Sequence, residues 1–239
     1  MYQRKFNLLL SSQVSLAERR GDDLPSAPTG RYLQSDVVAD AFLLATGRVP
    51  NTDLLAVAGT GVETDERGFV KTDEYLETSV PGVWALGDIV GKYLLQHSAN
   101  LEAAYAANNI FNPDHKVAVD YRAMPHTVFA SPQVAGVGLT EQEARELGVP
   151  YAAASYDYYN TAYGSSIEDR DGFVKVLASP ETGGILGAHI IGTNASILIQ
   201  EVANAMRLGL TTDAITQSIY VHPALPEVVQ RAFGSLGHG

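Results

Sequence analysis

The residues best suited to chemistry lie near the end of the chain, where an imidazole and a carboxylate stand five positions apart. These are His222, which is followed by Pro223, and Glu227. Pro223 favours an extended backbone at His222, and Glu227 falls in the first turns of a helix predicted after it. A carboxylate on one imidazole nitrogen orients the ring and raises the basicity of the other, which suits acid–base catalysis near neutral pH. On spacing alone, a purely structural pair is the alternative.

A second candidate site is the dipeptide Gly87-Asp88, which follows the apolar run 83–86. Such a run predicts a short, buried parallel strand, and α/β sheets bind ligands at the carboxyl ends of these strands. There the Asp88 carboxylate could accept hydrogen bonds from two neighbouring hydroxyl groups, and Gly87 leaves room for close approach. The alternative is an aspartate that only accepts hydrogen bonds from loop amides.

A third candidate is the segment Gln96-His97-Ser98-Ala99, which leads into a helix predicted from about Ser98 to Phe111. The N-terminus of a helix offers amide N–H groups and a partial positive charge, which suit an anion or a negative charge developing on a ring. Every helix has such an end, so the alternative is that Ser98 is an ordinary N-cap.

Composition excludes several classes of function. The 239 residues carry a net charge of −11, which disfavours binding to nucleic acids and to anionic membranes. Cysteine is absent, so this chain can offer neither a disulfide nor a thiolate. The remaining histidines are not spaced like metal ligands, so no metal site is predicted. No secretion signal and no apolar run of about 18 residues is present, which leads us to expect a cytoplasmic protein.

The two halves of the chain differ in the secondary structure that their sequences predict around these groups. Residues 1–30 look irregular, with a loop at 21–30, and residues 31–44 look extended. The second half predicts an α+β domain, an antiparallel sheet with helices on one face, beginning near residue 120. Its predicted strands lie at 126–130, 134–138, 150–158, 173–178 and 185–191. Its predicted helices follow a capping box at Thr140, span Ala195–Leu208, and follow His222-Pro223. The first half resembles pieces of an α/β architecture with parts missing.

Three motifs in this order and spacing resemble the flavoprotein disulfide reductases with two dinucleotide-binding domains. They are Ala-Thr-Gly-Arg-Val-Pro-Asn-Thr at 45–52, Thr-Ser-Val-Pro-Gly-Val-Trp-Ala-Leu-Gly-Asp at 78–88, and His222-Pro223 with Glu227. The family includes glutathione reductase, dihydrolipoamide dehydrogenase and mycothione reductase. Finer features at 95–100, 162–169 and 222–229 resemble the mycothione reductase branch.

The resemblance implies three domain segments. Residues 1–44 would be the remnant of an NAD(P)H-binding domain and residues 45–120 the C-terminal portion of an FAD-binding domain. Residues 121–239 would be the dimerisation domain. The fold class is therefore an α+β dimerisation domain preceded by an incomplete α/β FAD/NAD(P)-binding portion.

The resemblance also implies roles for particular residues. Gly47, Gly87 and Asp88 would bind FAD, with Asp88 on the ribityl chain. The turn at Leu95, Gln96, His97, Ser98 and Ala99 would face the pyrimidine end of the flavin. His222 would be the acid–base that protonates a departing thiolate in the active site of the other subunit, held by Glu227. The complete enzyme would thus be a homodimer that uses FAD and NAD(P)H on a small thiol-disulfide substrate.

The chain departs from this family in ways that bear on activity. It lacks the Gly-x-Gly-x-x-Gly fingerprint for FAD, the redox-active cysteine pair and the glycine-rich nicotinamide loop. Alone it should be inactive, and the missing N-terminal portion would come from the same chain or from a separate subunit. At Gln96-His97 it departs from the Thr-Pro of glutathione reductase. A dihydrolipoamide dehydrogenase-type enzyme and a non-catalytic dimerising module are the alternatives.

Overall fold

The chain forms two compact units, residues 1–49 and residues 50–239. The structure, a computed structural model, describes residues 2–17, 24–30 and 37–237. Each unit contains its own antiparallel sheet. Across the described ranges, no helix combines the length and the apolar character needed to cross a membrane.

The first unit holds a three-stranded sheet in the order β1-β2-β3. Its strands are β1 (Ser12–Ala17), β2 (Leu24–Gly30) and β3 (Val37–Ala39). The prediction of an irregular segment over residues 1–30 is therefore wrong where β1 and β2 form.

Two prolines in β2 explain why its sequence looks like a loop. Pro25 pairs only with β3 and Pro28 pairs only with β1. Each proline therefore has one side that pairs with no neighbouring strand, and on that side its missing N–H costs the sheet no hydrogen bond. The loop predicted at 21–30 is thus a strand from Leu24 onward, and residues 21–23 lie outside the described ranges.

The extended segment predicted at 31–44 is confirmed only in part. Residues 31–36 lie outside the described ranges, β3 is extended, and residues 40–45 form no regular element. Leu43 and Leu44 are 87% and 71% exposed, so their apolar character does not mark a buried strand in this unit.

The second unit begins with turns joined by isolated antiparallel bridges, followed by one long helix, α1 (Gln96–Phe111). The apolar run 83–86 is not the buried parallel strand that its sequence predicts. Val83 is 40% exposed, and Trp84 makes a single antiparallel bridge to Glu77. A parallel strand needs a parallel neighbour, and the described residues beside this run offer an antiparallel one.

A five-stranded antiparallel sheet forms the centre of the second unit, in the order β4-β5-β8-β7-β6. The five strands predicted in this half are confirmed, each end within two residues. They are β4 (His126–Val128), β5 (Gln133–Gly138), β6 (Ala152–Asp157), β7 (Phe173–Ala178) and β8 (Ile185–Gly192).

Five further helices follow α1. The predicted helices after Thr140, from Ala195 and after His222-Pro223 are confirmed, whereas α3 and α5 are short and had no pattern that predicts them. The helices are α2 (Glu141–Glu146), α3 (Ala162–Ser166), α4 (Ala195–Arg207), α5 (Asp213–Thr216) and α6 (Pro226–Gly234).

One face of the five-stranded sheet carries the core of this unit. Side chains alternate along a strand, and the register places Val137 opposite Ala188, which lies opposite Val176. All three are fully buried. Helix α4 covers this face over β5 and β8, and α6 covers it over β6 and β7. The α+β class with helices on one face of an antiparallel sheet is confirmed.

The capping box at the start of α2 gives a testable contribution to stability. The Thr140 hydroxyl accepts a hydrogen bond from the Glu143 amide at 3.1 Å, and the Glu143 carboxylate accepts one from the Thr140 amide at 2.8 Å. We expect Thr140→Ala to lower the free energy of unfolding by about 1 kcal/mol, measured by urea denaturation. Thr140→Ser should retain most of it, and equal losses in both variants would contradict this role for the hydroxyl.

Candidate active site

His222 and Glu227 form a hydrogen-bonded pair at the start of α6. Nδ1 of His222 lies 2.9 Å from Oε1 of Glu227, and Oε2 of Glu227 accepts a hydrogen bond from the Ala224 amide at 3.0 Å. The bond from the Ala224 amide, and then that from His222, lower the pKa of the Glu227 carboxyl. The carboxylate is therefore charged at neutral pH and fixes the orientation of the imidazole.

The pair leaves one imidazole nitrogen for chemistry. Because Glu227 binds Nδ1, that nitrogen carries the proton and Nε2 is the free position of the neutral ring. The side chain of His222 is 69% exposed and that of Glu227 is 13% exposed. The imidazole is therefore open to solvent, whereas its carboxylate partner is mostly buried. This is the arrangement of a general acid–base with an orienting carboxylate.

Helix α6 holds the pair in place through its buried side. Val228, Val229, Ala232 and Phe233 are at most 2% exposed and belong to the core against the sheet. Glu227, in the first turn of the same helix, is thereby fixed relative to that core.

Gly87 and Asp88 begin a short 3-10 helix, Gly87–Val90, rather than following a strand. Gly87 has a φ of +77°, a conformation that favours glycine. A Cβ atom at this position would lie 3.3 Å from Cβ of Ala99, so the turn and the start of α1 are in close contact. Asp88 is exposed in the first turn.

Helix α1 begins two residues earlier than predicted, at Gln96, and its N-cap is Leu95. Ser98 is therefore not the N-cap. Its hydroxyl donates a hydrogen bond to the Leu95 carbonyl at 2.7 Å instead of accepting one from the backbone. Among the described residues, no side-chain cap hydrogen bond is made at Leu95, so the first N–H groups of the helix can bind a ligand.

The other predicted residues of this turn contact their surroundings. Nε2 of His97 lies 2.7 Å from the Pro125 carbonyl oxygen, and the Gln96 amide donates to Oδ1 of Asn100 at 3.1 Å. A cavity of about 570 Å³ beside them is lined in part by Leu95, Gln96, His97, Pro125 and Arg207. Within the described residues, no cluster of three or more His, Asp or Glu side chains could hold a metal ion.

The predicted site residues thus fall into three groups. Contacts join the Gly87-Asp88 turn to the start of α1, and His222 with Glu227 forms a cluster of its own on α6. Gly47 belongs to the first unit, where its φ is +112° and a Cβ atom would meet no described residue within 4 Å.

Glu102 is a residue of this region that sequence reasoning missed. Its carboxylate lies in the middle of α1, is 1% exposed, and accepts hydrogen bonds from the Gly87 amide and the Tyr121 hydroxyl. The one available signal was a single acidic residue within the alanine-rich stretch of that helix.

The geometry fits the cofactor that the sequence resemblance implies. The exposed Asp88 carboxylate can accept hydrogen bonds from hydroxyl groups of a ribityl chain. The glycine before it allows close approach, and the uncapped start of α1 presents N–H groups beside it. The chemistry of these described residues therefore fits one side of an FAD site.

A second buried glutamate, Glu201 on α4, gives a pH-dependent prediction. Burial raises the pKa of its carboxyl group. Its Oε2 accepts a hydrogen bond from the Tyr220 hydroxyl at 2.9 Å, and its buried Oε1 has no hydrogen-bond partner among the described residues. Because the pKa of Glu201 is higher in the folded than in the unfolded state, this group contributes to the free energy of unfolding below its unfolded-state pKa. That contribution is lost as the pH rises through the folded-state pKa.

Glu201→Gln removes this titration. The melting temperature of the variant relative to the parent should therefore be higher at about pH 8 than at about pH 4. Glu66→Gln, at an exposed acid, serves as the matched control in the same thermal scans. The same relative melting temperature for Glu201→Gln at both pH values would contradict the account.

Comparison with known protein families matches two segments of the chain. Residues 124–233 match the dimerisation domain of the pyridine nucleotide-disulphide oxidoreductases, and residues 3–109 match a second domain of that name. The chain therefore belongs to the pyridine nucleotide-disulphide oxidoreductases, whose members bind FAD and a pyridine nucleotide.

Individual relatives fall within the same group. Mycothione reductase from Mycobacterium tuberculosis is 44% identical over 199 residues, which are 81% of this chain and 43% of that protein. Dihydrolipoyl dehydrogenase from Geobacillus stearothermophilus is 38% identical over 216 residues, 90% of this chain and 46% of that protein. The chain thus spans less than half the length of these relatives.

Solved structures show the same fold at lower identity. LpdA from Mycobacterium tuberculosis superposes with a TM-score of 0.87 at 24% identity, covering 99% of this chain and 50% of that one. The HOCl-induced flavoprotein disulfide reductase RclA from Escherichia coli superposes with a TM-score of 0.87 at 23% identity, covering 99% and 53%.

Proposed function

We propose that this chain is the C-terminal part of an FAD-dependent NAD(P)H:disulfide oxidoreductase of the mycothione reductase type. The observation that carries the proposal is the His222–Glu227 pair, a histidine with an orienting carboxylate and an exposed ring. The substrate would be the disulfide of a low-molecular-weight thiol, as the 44% identity to a mycothione reductase suggests.

The proposal assigns the three segments as follows. Residues 1–44 belong to the NAD(P)H-binding domain, residues 45–120 to the FAD-binding domain, and residues 121–239 to the dimerisation domain. Two copies associate through the last segment. Alone the chain is inactive, because it has no cysteine to exchange with a disulfide.

The role of His222 follows from the chemistry of disulfide reduction. When a thiolate attacks the substrate disulfide, one sulfur leaves as a thiolate and needs a proton. The His222 imidazolium donates this proton and is left neutral, with its ring orientation maintained by Glu227. We propose that it serves the active site of the partner subunit.

The cofactor side involves a different set of residues. Bound FAD would pass electrons between the nicotinamide and a cysteine pair supplied outside this chain. Asp88 binds its hydroxyl groups, and Gly87 permits close approach. The helix N–H groups of the segment 95–99 would stabilise negative charge on the flavin ring. By its motif, Gly47 is assigned to the FAD-binding segment.

A dihydrolipoamide dehydrogenase-type enzyme is the second candidate. The 38% identity to a dihydrolipoyl dehydrogenase and the Gln96-His97 pair at the start of α1 favour it. Both candidates use the same acid–base and the same cofactor, so they differ in substrate alone.

The test requires a complete reductase. We define the chimeric reductase as this chain preceded by the part of the Mycobacterium tuberculosis mycothione reductase that it does not cover. We expect it to oxidise NADH or NADPH with mycothiol disulfide as acceptor, faster than it oxidises dihydrolipoamide with NAD⁺. The reverse preference would favour the second candidate.

A non-catalytic dimerising module is the remaining alternative. The dimerisation segment has a core of its own, formed by the five-stranded sheet with α4 and α6. A chimeric reductase that forms a dimer, binds no FAD and reduces no disulfide would support this module and contradict an enzymatic role.

A further inference from the structure

We propose that Glu102 is a positioning residue for the cofactor, because its carboxylate holds the Gly87 amide and thereby sets the orientation of Asp88 toward FAD. The inference rests on the proposed function, in which the Gly87-Asp88 turn binds FAD. It adds a residue that lies outside the three sequence motifs.

The carboxylate of Glu102 is buried and both of its oxygens are used. Oε2 accepts a hydrogen bond from the Gly87 amide at 2.5 Å, and Oε1 accepts one from the Tyr121 hydroxyl at 2.9 Å. The residue is 1% exposed. Burying a carboxylate is costly unless hydrogen bonds compensate, so these two donors determine where the side chain can lie.

The bond to Gly87 acts where the turn changes direction. Leu86 is extended and Gly87 has a φ of +77°, so the backbone reverses between them, and Asp88 follows directly. The turn is closed behind it by a bond from the Gly91 amide to the Asp88 carbonyl at 3.1 Å. Anchoring the Gly87 amide fixes the Leu86–Gly87 peptide plane, one residue before Asp88.

Tyr121 secures the other side of the carboxylate. Its ring lies 5.3 Å from that of Tyr93, and the Lys92 ammonium lies 3.7 Å from the ring centroid. Burial, and then the bond to Glu102, raise the pKa of the Tyr121 hydroxyl, so it stays protonated and donates. Glu102 therefore connects the cofactor turn to the segment that leads into β4.

Other contacts hold α1 independently of Glu102. Nε2 of His97 lies 2.7 Å from the Pro125 carbonyl oxygen, and Arg207 of α4 donates to the Tyr105 hydroxyl at 3.3 Å. Loss of the Glu102 carboxylate should therefore release the Gly87-Asp88 turn and leave the helix in place. This separates a positioning role from general support of the fold.

The test compares the FAD affinity of variants in the apo form of the chimeric reductase. Glu102→Leu leaves the Gly87 amide unpaired, so we expect FAD, measured by fluorescence titration, to bind at least about 10-fold more weakly. Glu102→Gln keeps an acceptor for that amide and should restore the affinity to within about 3-fold of the parent. Glu201→Leu is the matched control, since Glu201 is also a helical glutamate bonded to a tyrosine hydroxyl. It should leave the FAD affinity unchanged.

A second measurement uses this chain alone and needs no cofactor. The Gly87 amide proton should resonate downfield in the NMR spectrum and move upfield in Glu102→Leu, and Tyr121→Phe should change it less. Both shifts would support the inference even if Glu102→Leu weakens the chimeric reductase too far for titration. An unmoved Gly87 amide in Glu102→Leu would overturn it.

Asp88→Asn separates this inference from the proposed function. If Asp88→Asn weakens FAD binding while Glu102→Leu does not, the cofactor turn stands and the role of Glu102 is overturned. If Asp88→Asn leaves FAD binding unchanged, both the turn's assignment and the inference fail. Equal losses in Glu102→Leu and Glu201→Leu would show general support of the fold and would also overturn the inference.

Discussion

His222→Ala in the chimeric reductase is expected to slow disulfide turnover at least about 100-fold while leaving flavin reduction by NAD(P)H unchanged. In the proposed reaction the imidazole acts after the flavin has been reduced, when the departing thiolate needs a proton. Stopped-flow absorbance would follow flavin reduction, and steady-state oxidation of NAD(P)H by the disulfide would follow turnover. Loss of both activities together would contradict the assignment.

Two variants serve as controls for this result. His115→Ala changes a histidine in the short 3-10 helix Pro113–His115, away from the pair, and should leave turnover unchanged. Glu227→Gln keeps the imidazole but weakens the bond that orients it, so we expect an intermediate loss of about 10-fold. Unchanged turnover in His222→Ala would show that the pair is structural.

Phe233→Ala is expected to lower the free energy of unfolding by about 3 to 5 kcal/mol. The ring is 2% exposed and lies in the core between α6 and the five-stranded sheet. Its removal leaves a cavity beneath the helix that carries Glu227, so the imidazole should also be held less firmly. Urea denaturation of the purified chain measures the first effect.

Leu147→Ala is the matched control for the core, because Leu147 is 67% exposed at the end of α2. We expect a change within about 0.5 kcal/mol. Similar losses at both positions would mean that α6 does not pack as the structure shows.

The dimerisation half was predictable from sequence because its signals are local. The capping box at Thr140 and the apolar spacing from Ala195 each specify a helix without reference to distant residues. The His222–Glu227 contact was predictable too, since Pro223 and the following helix bring the two side chains together over five positions.

The structure of the first half depends on contacts between residues that are distant in the sequence, and a local sequence pattern does not reveal them. The run 83–86 has the composition of a buried parallel strand, but its neighbour in the structure is antiparallel and Val83 stays exposed. The prolines make the sequence of β2 look like that of a loop. The strand tolerates them because each pairs with a neighbour on one side only, so the missing N–H groups cost the sheet no hydrogen bond. Glu102 was missed because its donors, Gly87 and Tyr121, lie 15 and 19 positions away.

The most direct test of the central claim, that His222 acts across the dimer, is a mixed dimer of the chimeric reductase. One protomer carries His222→Ala, and the other carries serines in place of its redox cysteines, so each homodimer should retain at most about 1% of the parent's turnover. If His222 serves the partner's site, the isolated mixed dimer has one intact site and should show about half the parent's turnover. A mixed dimer with turnover as low as that of either variant homodimer would contradict the claim.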